Sequence, residues 1–356
     1  MTNATPQLSH TIADIKAIIH RESRRVTSYD VAILAGVSQS AVSRCFKPGA
    51  SVSKATYARV MQAAQDLDYT PNAAARSLIT RRSNLVAVIV AGTVSQHYSD
   101  VLSELSRQFS VRGMHIILFN LPSDSEMDRT LAEVWQHQVD GAVVAARLSS
   151  EQAAEFERRH IPIVLFNRSL TDRDVSAVVC NQEEAARVMV TRLAAAGHQR
   201  FAMIDGPEHS SIAQQRRRGI ARRLADLGLP APLAVAGAFD YASGARGLRE
   251  IIDRLGGVPD VIVCGNDLMA IGCLDTARHD FHIDVPGRLS VTGFDGIAAS
   301  SWISYNLTTM RQPLHNMAHS AAEMLVGLVS GTGSAFERRT YSATFVDGGT
   351  ARLGPA

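Results

Sequence analysis

The chain has 356 residues, 46% of them hydrophobic, and a formal net charge of +2. This length and apolar content provide for more than one buried core and exclude a disordered or fibrous chain. No run of about 18 apolar residues reads as a membrane span, and the opening "MTNATPQLSHTIADIKAIIHRESRR" has no signal-peptide pattern, so a cytoplasmic location is expected.

Residues 1–25 read as a flexible extension, although "IADIKAIIH" could form an amphipathic turn or two. Thr27 or Ser28 can then cap a helix through "YDVAILA", with Val31, Ala32 and Ala35 inward. Gly36 ends it, because glycine takes the left-handed conformation that a tight helix-to-helix turn needs. Val37 plugs the core beneath. Ser38 caps a second helix, "QSAVSRCF", with Val42 and Cys45 or Phe46 inward and Gln39, Ser40, Ser43 and Arg44 outward. Those four side chains are the hydrogen-bonding types that read major-groove edges or hold phosphates. A third helix, "KATYARVMQAAQDL", is capped by Ser53 and closes a small core with Tyr57, Val60, Met61, Ala64 and Leu67.

In "TPNAAARSLIT", Pro71 blocks extension of the preceding helix and Asn72 can cap a new one that is too short to be stable alone. From Arg21 to Arg82 ten Lys/Arg face four Asp/Glu, while the rest of the chain carries 26 basic and 30 acidic residues. A basic segment on a mildly acidic body points to a polyanion-binding head.

Beyond residue 84, short β-branched runs alternate with helical patterns. The runs fall at 85–91, 115–120, 141–145, 161–166, 176–180, 201–205, 233–238, 261–265 and 289–294. Helical patterns lie near 98–112, 126–138, 150–160, 182–196, 212–228, 242–255 and 267–279. Such alternation predicts an α/β body of parallel sheets, and nine strands fit two sheets better than one. Ligands of such sheets bind beyond the strands' carboxyl ends, where Asn167, Arg168, Arg216, Asn266, Asp267 and Asp295 stand. Amides, carboxylates and guanidinium forks suit a ligand rich in hydroxyls.

Catalytic signatures are missing: there is no GxxxxGK[ST] loop, GxSxG elbow, HExxH pair or GxGxxG turn. His315 and His319 have i, i+4 spacing but no third ligand in register, and Cys45, Cys180, Cys264 and Cys273 lack paired spacing. No enzyme, cofactor, metal site or disulfide framework is expected.

The stretch "VTSYDVAILAGVSQSAVSRCF…VSKATYARVMQAAQDLDYTPNAAARSL" closely resembles the head of the lactose/galactose repressor family of bacterial transcription regulators. The likeness continues more weakly through "LFNR", "GHQRFAMIDGP", "RRRGI", "PDVIVCGNDLMAIG", "LSVTGFDG" and "LTTMRQP". It implies a helix-turn-helix domain at 26–70, a hinge helix or linker at 71–83, and an effector-binding and dimerisation domain at 84–356. That last domain resembles a periplasmic binding protein, with lobe 1 at about 84–180 and 310–338, lobe 2 at about 181–309 and 339–356, and crossings near 180, 309 and 338.

By the same likeness Gln39 and Ser40 read bases and Arg44 contributes to groove or backbone contact. Thr27, Ser28, Tyr29, Ser38, Ser43 and Asn72 join the DNA-binding set. Ala75 and Leu78 stand at the small-contact and wedge positions of paired hinge helices in the minor groove. Arg216, Asn266, Asp267 and Asp295 match effector contacts, and Trp302 is placed to stack on a sugar face. The first loop departs from the family: Gln96 and Tyr98, in "SQHY", replace the usual Asn-Pro-Phe-Phe/Tyr. Gly296 stands where a second acid or Asn is common. A sugar or sugar acid is the expected effector, with a purine or other metabolite behind it.

The ending "SATFVDGGTARLGPA" brings no leucine heptad, so a homodimer on a pseudo-palindromic double-stranded DNA operator is expected, with no membrane partner. Two other readings are a cytoplasmic sugar-binding component of transport type without a DNA role, and an enzyme carrying a DNA-binding head.

Overall fold

A computed structural model describes residues 11–47, 49–71, 82–91, 96–121 and 124–354. The chain divides into two compact units, Met1–Ser83 and Asn84–Ala356.

The first unit is helical. Helices α2 (Ser28–Ala35), α3 (Gln39–Cys45) and α4 (Lys54–Asp66) surround a core of Val31, Ala32, Ala35, Val42, Val60, Ala63, Ala64 and Leu67. Tyr57, expected inside, is 48% exposed, and Ala63 takes the inward place. Part of the expected flexible extension is instead a helix, α1 (Ile12–Arg21). Two local causes hold it: Thr11 and Asp14 form a reciprocal capping box, and Ile15 is buried in the head core with Ile19 packed beside it.

The second unit contains two six-stranded sheets. The first has order β11-β5-β4-β3-β1-β2, from β1 (Leu85–Ala91), β2 (His115–Leu121), β3 (Gly141–Ala145), β4 (Ile163–Phe166), β5 (Ala177–Cys180) and β11 (Arg338–Tyr341), all parallel. The second has order β12-β10-β9-β8-β6-β7, from β6 (Phe201–Ile204), β7 (Leu233–Val235), β8 (Val261–Cys264), β9 (Ser290–Asp295), β10 (Thr308–Arg311) and β12 (Thr344–Val346). Only its edge pair β10/β12 is antiparallel among the described strands.

Strand alternation divides each sheet between two cores. On one face of β1, Val86, Val88 and Val90 meet Val101, Leu105 and Phe109 of α5 (Gln96–Ser110) and the apolar side of α12 (Leu314–Ser330). On the other face, Ala87 and Ile89 meet α6 (Met127–Gln136) and α7 (Ser150–Arg158). The second sheet is covered by α8 (Gln182–Ala195) and α9 (Ser211–Asp226) on one side. On its other side lie α10 (Tyr241–Leu255) and α11 (Asp267–Asp275), whose last turn widens into a π-helix at Thr276–Asp280.

The polypeptide passes between the sheets three times: between β5 and α8, between β10 and α12, and between β11 and β12. No helix of the described residues is long and apolar enough to cross a membrane.

Candidate DNA-reading face and effector cleft

Backbone termini position the head's polar side chains. The Asp30 carboxylate accepts from the Thr27 amide (2.8 Å) and the Thr27 hydroxyl (2.7 Å), closing the start of α2. Arg24 grips the same carboxylate with both arms, at 2.7 and 2.8 Å, and this fork holds the buried Asp30 down at about 2. Gly36 ends α2 at φ +62°, and the Val37 amide donates back to Ala32 O at 3.0 Å. Ser38 then caps α3 by accepting from the Ala41 amide at 3.3 Å.

The outcome is a small surface of exposed Tyr29, Ser38, Ser40, Ser43 and Arg44 with half-buried Ser28 and Gln39. Tyr29 is 67% exposed. Gln39 Nε2 donates to Ser28 Oγ at 3.1 Å, joining the two helices through their polar ends. Asn72, Ala75 and Leu78 lie outside the described residues.

In the second unit, a buried network joins the carboxyl ends of strands from both sheets. Asn167, just beyond β4, donates from Nδ2 to Gln312 Oε1 at 2.7 Å and accepts from the Cys180 amide at 3.0 Å. Gln312, between β10 and α12, donates to Asp295 Oδ1 at 2.9 Å. Arg216, on α9, is 2% exposed and donates to Asp295 Oδ1 (2.7 Å), Gln182 Oε1 (2.8 Å) and the Gly265 carbonyl. Its guanidinium also lies 4.6 Å from the centre of the Phe294 ring.

Asp295 has φ +105°, a conformation that costs a non-glycine residue about 1–3 kcal/mol and clusters at functional sites. Gly296 follows at φ +70°. Nearby at the end of β6, buried Asp205 pairs with Arg217 at 3.1 Å, and burial pushes its carboxyl up. Arg168 is half-buried and, among the described residues, donates to the neighbouring Asn167 carbonyl at 3.3 Å.

Other expected effector residues are placed differently. Asn266 caps α11, accepting from the Met269 amide and donating to Phe239 O, both at 3.0 Å. Asp267 has no exposed surface: it accepts from Thr309 Oγ1 at 2.6 Å and the Ile297 amide at 2.9 Å, bracing the turn after Asp295. Burial, then the Asp295 charge, raise it to about 8. Trp302, expected to stack on a sugar, stacks on Tyr305 with ring centres 6.4 Å apart, and Tyr305 bonds Asp275. No hydrogen bond or ring contact among the described residues joins it to the Arg216 network.

The side chains of Gln96 and Tyr98 lie outside the described residues. His315 and His319 contact Glu104 and Gln108 on α5, and no group of three possible metal ligands occurs among the described residues. Gln182 and Gln312, absent from the sequence-derived site, are central to the network. Their signal was position alone, each at a crossing between sheets.

A helix-turn-helix head on a two-lobed body whose facing strand ends share one buried polar network is the build of a ligand-responsive DNA-binding regulator. Residues 27–72 match the family model "Bacterial regulatory proteins, lacI family", and residues 190–351 match "Periplasmic binding protein-like domain". The Ribose operon repressor of Escherichia coli (strain K12) is 30% identical over 305 residues, covering 84% of this chain and 92% of that protein.

Among solved structures, a transcriptional regulator CelR–cellobiose complex aligns with TM-score 0.70 and 26% identity, over 92% of this chain and 100% of that one. The lac repressor dimer bound to operator and the anti-inducer ONPF shares the fold, with TM-score 0.84 at 24% identity over 92% of this chain and 99% of that one. The chain belongs to the LacI family of bacterial regulatory proteins, and it is a DNA-binding transcriptional regulator.

Proposed function

We propose that the protein is a cytoplasmic homodimeric repressor that reads a pseudo-palindromic operator and changes its operator affinity when a sugar or sugar acid binds between the lobes. The observation that carries this reading is the Asn167–Gln312–Asp295–Arg216–Gln182 network, which joins strand ends of both sheets on a polypeptide that also carries a DNA-reading head. A ligand that exchanges hydroxyls for these contacts favours one lobe arrangement, and any difference in its affinity for the two arrangements shifts their populations.

Asn167, Arg168, Arg216 and Asp295 are the proposed effector contacts, with Gln182 and Gln312 added. Asp267 and Asn266 support them from behind. Thr27, Ser28, Tyr29, Ser38, Gln39, Ser40, Ser43 and Arg44 form the proposed DNA face, with Asn72, Ala75 and Leu78 in a hinge segment at 71–83. The relatives' names support both halves: one is a ribose operon repressor, and one was solved with cellobiose. The regulator reading takes precedence over an enzyme, and a transport component without a DNA role gains no support from these relatives.

Fluorescence anisotropy of a labelled operator duplex, titrated with a panel of pentoses, disaccharides and uronic acids, tests the reading. At least one compound should shift operator affinity, and a flat response across the panel contradicts a sugar-class effector. Leu78→Ala should reduce DNA bending and specific affinity while sparing salt-sensitive non-specific binding. An unchanged bend in gel-phasing measurements counts against the wedge role.

A further inference from the structure

Two serines at the head's helix starts have different tasks. The opening of α2 is closed by Thr27 and Asp30, which leaves Ser28 free of capping. The opening of α3 is closed by Ser38. Ser28 and Gln39, eleven residues apart in sequence, meet instead across the turn, with Gln39 Nε2 donating to Ser28 Oγ at 3.1 Å. Gly36, with its positive φ, sets the angle between α2 and α3 that lets them meet.

The contact removes rotational freedom from the amide at the moment its chemistry matters. A glutamine amide carries two N–H donors and one carbonyl acceptor. When the N–H that points away from Oε1 is the one held by Ser28, the N–H beside Oε1 is left as one donor next to one acceptor. In the major groove, adenine alone presents the complement of that pair on one base, an N7 acceptor beside an N6 donor. A free glutamine would have to give up side-chain entropy to adopt this fork, whereas a tethered one has already done so.

We infer that Ser28 is a positioning residue for base readout, whose hydroxyl orients the Gln39 amide toward adenine in each half-site. This rests on the reading that Gln39 faces a base. Arg44, Ser40 and Ser43 carry no tie to α2 among the described hydrogen bonds, so the effect falls on one base position and not on the whole site.

The test is competitive selection by the full-length protein from a duplex library with a randomised half-site, at physiological salt. The wild-type protein should select adenine at one position that Gln39→Ala relaxes. Ser28→Ala should relax the same position by about threefold to tenfold, the worth of one neutral hydrogen bond, with the base preferences at the other positions and the salt slope unchanged; loss of Ser28's own place on the DNA face shows as a uniform fall in affinity that changes no preference. Ser28→Thr, which keeps the hydroxyl, should restore the preference, and S28A/Q39A should match Q39A alone. Circular dichroism melts of each variant check that the head remains folded.

If Ser28→Ala selects the wild-type sequence with undiminished preference, or relaxes a different position from Gln39→Ala, the positioning role is overturned while Gln39 stands as a reader. Selection of guanine at the shared position overturns the amide orientation. If Gln39→Ala changes no position, the underlying reading fails, and with it the inference.

Discussion

Replacing Arg216 by Met removes the centre of the inter-lobe network while keeping an unbranched stem beside Phe294. Arg216 and Asp295 are 2% and 7% exposed, so neither can be rescued by bulk water. Without the guanidinium, Asp295 keeps the Gln312 donor, but Gln182 Oε1 and the Gly265 carbonyl lose theirs. Breaking a buried ion pair from one side costs about 3–5 kcal/mol, which at about 2–4 °C per kcal/mol lowers Tm by about 6–20 °C. Differential scanning calorimetry of the full-length variant reads this as a fall in the melting of the 84–356 unit. Because part of the cost is a buried carboxylate left without its counter-charge, Asp295→Asn in the same chain should recover about half of the loss. A fall of less than about 2 °C, or a double variant whose two losses simply add, would refute the account of the pair as one coupled unit.

Gly36→Ala tests the turn. An added Cβ finds open space, with Arg59 Nη1 at 3.9 Å, so the cost is the left-handed backbone alone, about 1–2 kcal/mol; head melting followed by circular dichroism should fall, and Gly36→Asn should fall less. Asp267 gives a pH signature. Its folded value of about 8 lies above the ordinary 3.8, so its contribution is complete below 3.8 and is lost as pH rises toward 8. Urea midpoints should therefore decline with pH over that window in the wild type and flatten in Asp267→Asn; equal slopes would contradict the buried protonated form.

What could be read from sequence followed from local physics. Strand β1, "LVAVIVA", is buried on both faces and needs no partner knowledge to be recognised. The turn at Gly36 and the caps at Ser38 and Ser53 are written in residue type. By contrast β10, "TTMR", looks polar, yet Thr308 and Thr309 are fully buried because Thr350, Gly348 and Asp267 satisfy them from elsewhere in the chain. Edge strands β11 and β12 are short and half exposed, so no apolar run marks them.

Helix α1 depends on Ile15 reaching a core contributed by α2 and α4, a long-range gain that a window along the chain does not contain. The site was legible in its charged members, Arg216 and Asp295, whose types suggest chemistry. It was illegible in Gln182 and Gln312, ordinary residues made central by the two crossings. Trp302, a large aromatic in a strand-end loop, stacks on Tyr305, a neighbour that its residue type alone does not announce.

The central claim is that one polypeptide couples operator binding to a ligand held between its lobes. DNase I footprinting of the full-length protein on the DNA upstream of its own coding region, at physiological salt and across the sugar panel, tests it most directly. The account predicts a protected pseudo-palindrome whose protection changes with one compound. Absence of any protected two-fold site, or protection indifferent to every compound, would contradict it.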